Sequence, residues 1–183
     1  MTTAEPSQPT GGWLSPDELA SWLSVVRLII RLPFAIDAQL QRTADLSVIE
    51  YLTMAKLAEA PALTMRMSDL AERAGASLSR LSHLVKRLEA RGYVRREPDP
   101  SDGRYTNAIL LPPGMRKLES AAPGHVAYVR HLVVDNLSGE RLRRLGQDAE
   151  LLIRRIDAGP GPRAPSAAPH ERVRRRAAPP DAT

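Results

Sequence analysis

Between Ser77 and Arg87 the chain places Ser77, Ser79, Arg80, Ser82, His83, Lys86 and Arg87 among the apolar residues Leu78, Leu81, Leu84, Val85 and Leu88. At helical spacing the first set falls largely on one face and the apolar set on the other. Hydroxyl, imidazole, ammonium and guanidinium groups stand there with no acidic residue on the exposed face. Such a face donates hydrogen bonds to anions and repels none. An arginine can hold a guanine edge through two bonds, and serines at a helix start can bind phosphate together with free backbone amides. The chemistry implied is nucleic-acid recognition rather than bond making. A solvated polar face would carry similar residues, so the surroundings must decide.

Those surroundings are specific. Ser68-Asp-Leu-Ala opens a short helical pattern with Leu70, Ala71 and Ala74 inward and Ser68 as its expected cap. Gly75 supplies a left-handed turn position, and Ser77 caps the helix that follows. Gly92 closes that second helix. Tyr93 to Arg95 begins a strand, Pro98 to Gly103 is a dense turn signal, and Tyr105 to Leu111 returns as a second strand. This order reads as a helix-turn-helix with a β-wing. Arg95, Arg96 and Arg104 flank the wing tip, which also carries Asp99 and Asp102. An arginine on a thin tip fits a narrow minor groove, and Asp102, two residues before Arg104, can hold its guanidinium in place.

The remaining elements must position this unit. Ser15-Pro-Asp-Glu18 is a capping box that starts a long helix. Apolar residues from Leu19 through Val25, Val26, Leu28, Ile29 and Ile30 cover more than one of its faces, which predicts packing against another chain. Pro33 predicts a kink there, and Trp13 and Trp22 read as anchors in the helical core. Ser47 to Glu50 is a second capping box, opening a helix over about 47–60 with Val48, Tyr51, Leu52 and Ala55 inward. Leu63 to Met67 reads as a short strand. Pro112-Pro113 starts another helix, and Ser138 begins the last, whose Leu142, Leu145, Ala149, Leu152 and Ile156 form an apolar seam. Residues 1–12 and 158–183 are expected to be disordered, the second as a basic Pro/Ala/Arg tail.

Composition excludes several classes. Of 183 residues, 43 % are hydrophobic and only 4 % aromatic, which favours a helical core built on aliphatic side chains. The net charge of +5 suits an anionic partner. With no cysteine, disulfides, thiolate catalysis and Cys-ligated zinc are excluded. His125 and His131 are not spaced for one helical face, so no metal site is expected. Neither a nucleophile elbow nor a phosphate-binding loop is present, so no catalytic residues, cofactor or enzymatic activity are expected. The N-terminus lacks a signal-peptide pattern, and no run of about 18 uninterrupted apolar residues occurs. The expectation is a cytoplasmic protein with no membrane partner.

The block from Leu46 to Glu119 resembles the MarR family of bacterial winged helix-turn-helix regulators. The resemblance is carried by Ser68-Asp-Leu-Ala71, by L-E-x-x-G-x-V-x-R (Leu88, Glu89, Gly92, Val94, Arg96), by the D-x-R wing (Asp102, Arg104) and by L-x-x-x-G (Leu110, Gly114). Leu111 departs from a capping threonine usual in the family, and Gly103 sits between the wing Asp and Arg. The resemblance implies a mainly α fold with a small β-wing. A winged helix-turn-helix domain over 46–111 would be flanked by dimerisation helices over 13–45 and 112–157. It implies a homodimeric, sequence-specific regulator, most simply a repressor, on a near-palindromic double-stranded operator. Recognition helices would enter successive major grooves and the wings the flanking minor grooves. A small aromatic or anionic effector would release it. Arg80, His83, Lys86 and Arg87 would contact bases and phosphates, Ser77, Ser79 and Ser82 mainly phosphates, and Arg104, held by Asp102, the minor groove. The alternatives are a non-specific architectural DNA binder and a winged-helix protein-interaction module.

Overall fold

The computed structural model describes residues 13–159. The expected disordered N-terminus and nearly all of the basic tail lie outside the described residues. The chain divides into two compact units between Asn136 and Leu137.

The first unit begins with α1 (Pro16–Ala44). Ser15 Oγ accepts from Glu18 N–H at 3.3 Å, and Ser15 N–H donates to the Glu18 carboxylate at 2.7 Å. This satisfies two of the groups a helix start leaves open. The helix runs on through Pro33 as one element. It ends at Asp45, a non-glycine residue in the left-handed region (φ 48°), whose N–H reaches back to the Gln41 carbonyl at 3.1 Å. Next comes α2 (Val48–Ala58), capped reciprocally by Ser47 and Glu50. Val48 N–H also donates to Asp37 of α1 at 2.8 Å, which joins the two helices.

A single 3-10 turn leads into β1 (Thr64–Arg66), and this strand passes directly into α3 (Met67–Arg73). The residue before the first turn of α3 is therefore Arg66 in extended backbone, not Ser68, whose hydroxyl bonds Asp69 instead. Then follow α4 (Leu78–Ala90), β2 (Val94–Pro98), β3 (Thr106–Leu110) and α5 (Pro112–Leu132). The sheet is antiparallel in the order β1-β3-β2, with Arg66 opposite Asn107 and Val94 opposite Leu110. β1 thus lies beside the wing hairpin although it precedes the helix-turn-helix in the chain.

The core joins all of these elements. Leu40 from α1, Leu46 from the link between α1 and α2, Met54 and Leu57 from α2, Leu70 from α3, Leu81, Val85 and Leu88 from α4, and Val94 and Leu110 from the wing are essentially without solvent. Leu118 and Ala121 bring α5 into the same cluster. The last turns of α1 are therefore part of the winged domain's core, so the expected boundary near residue 45 does not coincide with a packing boundary. Expected burial fails at four residues. Leu52 and Leu78 are exposed rather than inward, and Trp13 and Trp22 are exposed rather than core anchors. Buried Tyr51, Thr53, Met54 and Leu57 carry the inner face of α2 instead.

Although it lacks an unbroken apolar run, α1 is long and apolar enough to cross a membrane by length and composition. Arg27 and Arg31 interrupt it, and its C-terminal end is committed to the core through Leu40 and Ala44. Its apolar surface also includes Leu28, Ile29, Ile30 and Phe34, all exposed.

The second unit contains α6 (Gly139–Asp157). Ser138 caps it through the Arg141 N–H at 3.3 Å. Leu145, Leu151, Leu152, Ile153 and Ile156 are exposed along it.

Candidate nucleic-acid interface

The tight connection between α3 and α4 depends on Gly75, whose φ of +59° would strain any residue with a Cβ. Ala76 N–H returns to the Ala71 carbonyl at 3.0 Å, and Ser77 Oγ accepts from Arg80 N–H at 3.3 Å to start α4. With Leu81, Leu84, Val85 and Leu88 buried, the opposite side of α4 is turned outward. Ser77, Ser79, Arg80, His83, Lys86 and Arg87 are all exposed, and Ser82 is half-buried. The structure thus gathers the seven residues singled out on α4 on the solvent side of one helix.

Ser82 also lines a cleft of about 250 Å³ with Leu78, Arg96, Arg104, Tyr105 and Thr106. This cleft joins the outer face of α4 to the wing. Arg104 is 84 % exposed at the wing, yet it is not loose. Its Nε and Nη2 donate to the two Asp102 oxygens at 2.9 and 2.6 Å, and its own N–H donates to Asp102 Oδ1 at 3.1 Å. The guanidinium holds the Asp102 carboxyl below its ordinary range, and the carboxylate raises Arg104 in turn.

The other wing arginines are engaged. Arg96 is bound to Glu89 of α4, and Arg95 pairs with its strand neighbour Glu97. On α4 itself, Arg87 Nε donates to Glu50 of α2 at 3.3 Å. The acid-free outer face is thus flanked by a carboxylate delivered from a different helix.

Sequence reasoning placed Asp99 at the wing tip without giving it a role, and missed its partner Arg66. Asp99 Oδ1 accepts from Ser101 N–H at 2.8 Å and Ser101 Oγ at 2.5 Å, and Oδ2 accepts from Arg66 Nε at 3.1 Å and Asn107 Nδ2 at 3.4 Å. The Ser101 hydroxyl, then its amide, then Arg66 hold the Asp99 carboxyl well below the usual carboxylate range. Arg66 comes from β1 and lies over the Tyr105 ring, 4.6 Å from its centre. The turn-rich composition marked the tip, but nothing local marked Arg66. For Glu89 and Arg96 a signal was present, since both belong to the L-E-x-x-G-x-V-x-R block and the Gly92 turn folds them together.

The arrangement can bind a polyanion in a fixed orientation. Its donors are exposed cations and hydroxyls, and no group of three or more metal-ligating side chains occurs among the described residues. His125 packs at a tilt against Tyr51 with ring centres 4.5 Å apart, whereas His131 lies near Tyr128.

Comparisons with known proteins agree with this geometry. The MarR family model matches residues 44–104. The transcriptional regulator HosA of Escherichia coli O111:H- is 31 % identical over 113 residues, spanning 61 % of this chain and 76 % of HosA. Sco3205 of Streptomyces coelicolor, a MarR family transcriptional regulator solved in complex with DNA, is 40 % identical with a TM-score of 0.77; the match covers 81 % of this chain and 96 % of that one. AbsC from the same organism, also of this family, is 33 % identical with a TM-score of 0.77, covering 80 % and 99 %. The chain belongs to the MarR family and is a DNA-binding transcriptional regulator, not an enzyme.

Proposed function

We propose that the protein is a homodimeric repressor that occupies a near-palindromic operator in the cytoplasm and leaves it when a small aromatic or anionic effector binds. The observation that carries the DNA reading is the outward face of α4, with Arg104 beside it on the wing. In this reading Arg80, His83, Lys86 and Arg87 contact bases and phosphates in the major groove. Ser77, Ser79 and Ser82 contact phosphates, and Arg104, oriented by Asp102, enters the minor groove.

Dimerisation is supported by apolar surface that a lone chain leaves in water. Trp22, Ile29, Ile30 and Phe34 on α1 are each more than half exposed, as are Leu151, Leu152 and Ile156 on α6. Residues 13–45 and 112–157 would supply the contacts between copies. Effector control is supported by buried polar atoms without partners among the described residues on three helices: Gln39 Oε1 on α1, Thr53 Oγ1 on α2 and His125 Nδ1 on α5. A ligand bound among these helices would change the distance between paired α4 helices, and half-site spacing on the duplex is fixed.

The test is selection of bound duplexes from a random pool by the full chain, with and without phenolic acids. Enrichment of a palindromic sequence is expected. Equal affinity for enriched and random duplexes would instead leave a non-specific architectural binder. Sedimentation of the free protein as a monomer at micromolar concentration would remove the homodimer.

A further inference from the structure

Glu50 is a carboxylate in a place that has almost no water: its side chain is 8 % exposed. One task is local. As the third residue of α2 it accepts from Ser47 N–H at 2.9 Å and completes the capping box. Capping does not require a second partner, yet Glu50 has two more. Oε1 accepts from Arg87 Nε at 3.3 Å, and Arg91 Nη1 lies 4.0 Å from Oε2. Arg87 projects from α4 and Arg91 is the residue that closes that helix, four positions on. Arg91 goes on to donate to the Asp45 carbonyl at 2.7 Å and the Asp45 carboxylate at 2.9 Å.

Arg87 is caught at one atom only. Its Nε is committed to Glu50, its side chain is 59 % exposed, and its terminal nitrogens make no hydrogen bond among the described residues. A guanidinium is planar, so holding Nε narrows the planes it can take while leaving the Nη edge free for a ligand. We propose that Glu50 is a positioning residue for DNA reading, which sets the guanidinium plane of Arg87 so that its free edge meets the operator in one pose. The proposal rests on the reading that the outer face of α4 meets DNA. Its logic has two opposing parts. A preset arginine gives up less rotamer freedom when it binds the correct site. A carboxylate beside the face also lowers the positive potential that attracts any duplex. Glu50 therefore raises specific binding and weakens non-specific binding.

That opposition separates positioning from mere support. Glu50→Gln keeps the shape and the capping box but removes the charge. For the duplex selected by the full chain, Glu50→Gln is expected to weaken binding about tenfold, the scale of one good base contact. Affinity for a random duplex of equal length is expected to hold or rise, so the ratio of the two falls. In an Arg87→Ala background, Glu50→Gln should leave the ratio unchanged. A ratio unaltered by Glu50→Gln in the wild-type chain, or lowered equally in the Arg87→Ala background, overturns the proposal. A partly unfolded variant changes both affinities alike and leaves the ratio intact. Should Glu50→Gln not fold, Arg87→Lys keeps the charge without the planar fork; a fallen ratio then supports the proposal and an unchanged one overturns it. Failure of the underlying reading looks different, since the wild-type chain itself would prefer no selected duplex.

Discussion

Glu89 in the last turn of α4 holds Arg96 of β2 by three hydrogen bonds: Arg96 N–H to Oε1 at 3.1 Å, and Nε and Nη2 to Oε2 at 3.0 and 2.7 Å. The wing is thereby fastened to α4 rather than hung from a loop. Glu89→Ala should lower stability by about 1 kcal/mol, a modest figure because both side chains are about one-third exposed. Operator affinity should fall severalfold as the wing loosens. Arg96 holds the Glu89 carboxyl below its ordinary value of 4.5, so the bond stabilises at pH above that value. The stabilisation is lost as pH falls through the lowered folded value. Urea denaturation at pH 7 and pH 3 checks both statements: the gap between wild type and variant should narrow at the lower pH.

The wing pair makes a second expectation. Arg104→Ala should weaken operator binding roughly tenfold, and Asp102→Asn should weaken it less, because the charge remains but its orientation is lost. The double variant should be no worse than Arg104→Ala alone. Salt-matched shift assays read all three. An unchanged affinity for Arg104→Ala would remove the wing from DNA recognition.

Two glycines should respond differently to alanine. At Gly114 in the first turn of α5, a Cβ would press on the Tyr93 carbonyl oxygen and lie 2.8 Å from Leu110 Cδ1. The Tyr93 carbonyl belongs to the backbone and the Leu110 side chain is buried, so neither yields cheaply and Gly114→Ala should cost about 3 kcal/mol. At Gly92 a Cβ meets nothing within 4 Å, but φ is +69°. Gly92→Ala should cost about 1 kcal/mol from backbone strain alone. Paired thermal unfolding curves would show the ranking, and equal losses would contradict it.

His125 sets a pH expectation. Burial against Tyr51 pushes the His125 imidazole below its ordinary value of 6.5. The unfolded chain then takes up a proton before the folded one does. Stability contributed by the neutral ring is complete above about 6.5 and declines as pH falls from there toward the lowered folded value. His125→Gln should flatten this part of the stability profile relative to wild type. Parallel slopes for the two proteins between pH 7 and pH 5 would contradict it.

What could be read from the chain alone was local. The capping boxes at Ser15/Glu18 and Ser47/Glu50, the turn at Gly75 and the Asp102–Arg104 pair each lie within a few residues, where backbone geometry leaves little choice. What escaped was set by distant packing. Glu50 meets Arg87 across 37 residues and Arg66 meets Asp99 across 33, and periodicity carries no information about either. Leu78 has the phase of a core residue, but it sits in the first turn of α4, where the neighbouring elements no longer cover it. Ser68 has the right chemistry for a cap, but β1 delivers the chain to α3 already extended and the helix begins one residue earlier. Trp22 has the spacing of a core anchor on α1, but spacing does not say which of that helix's apolar faces the core covers, and Trp22 is exposed.

Asp45 closes α1 in a left-handed turn, and Arg91 grips both its carbonyl and its carboxylate. The 29 residues before it form a helix of about 43 Å that packs on α5 and is held at its C-terminal end by the residue that closes α4. A tilt of ~5° at that end swings the far end by ~4 Å. Motion too small to disturb the core would therefore arrive greatly magnified at the other end of the helix.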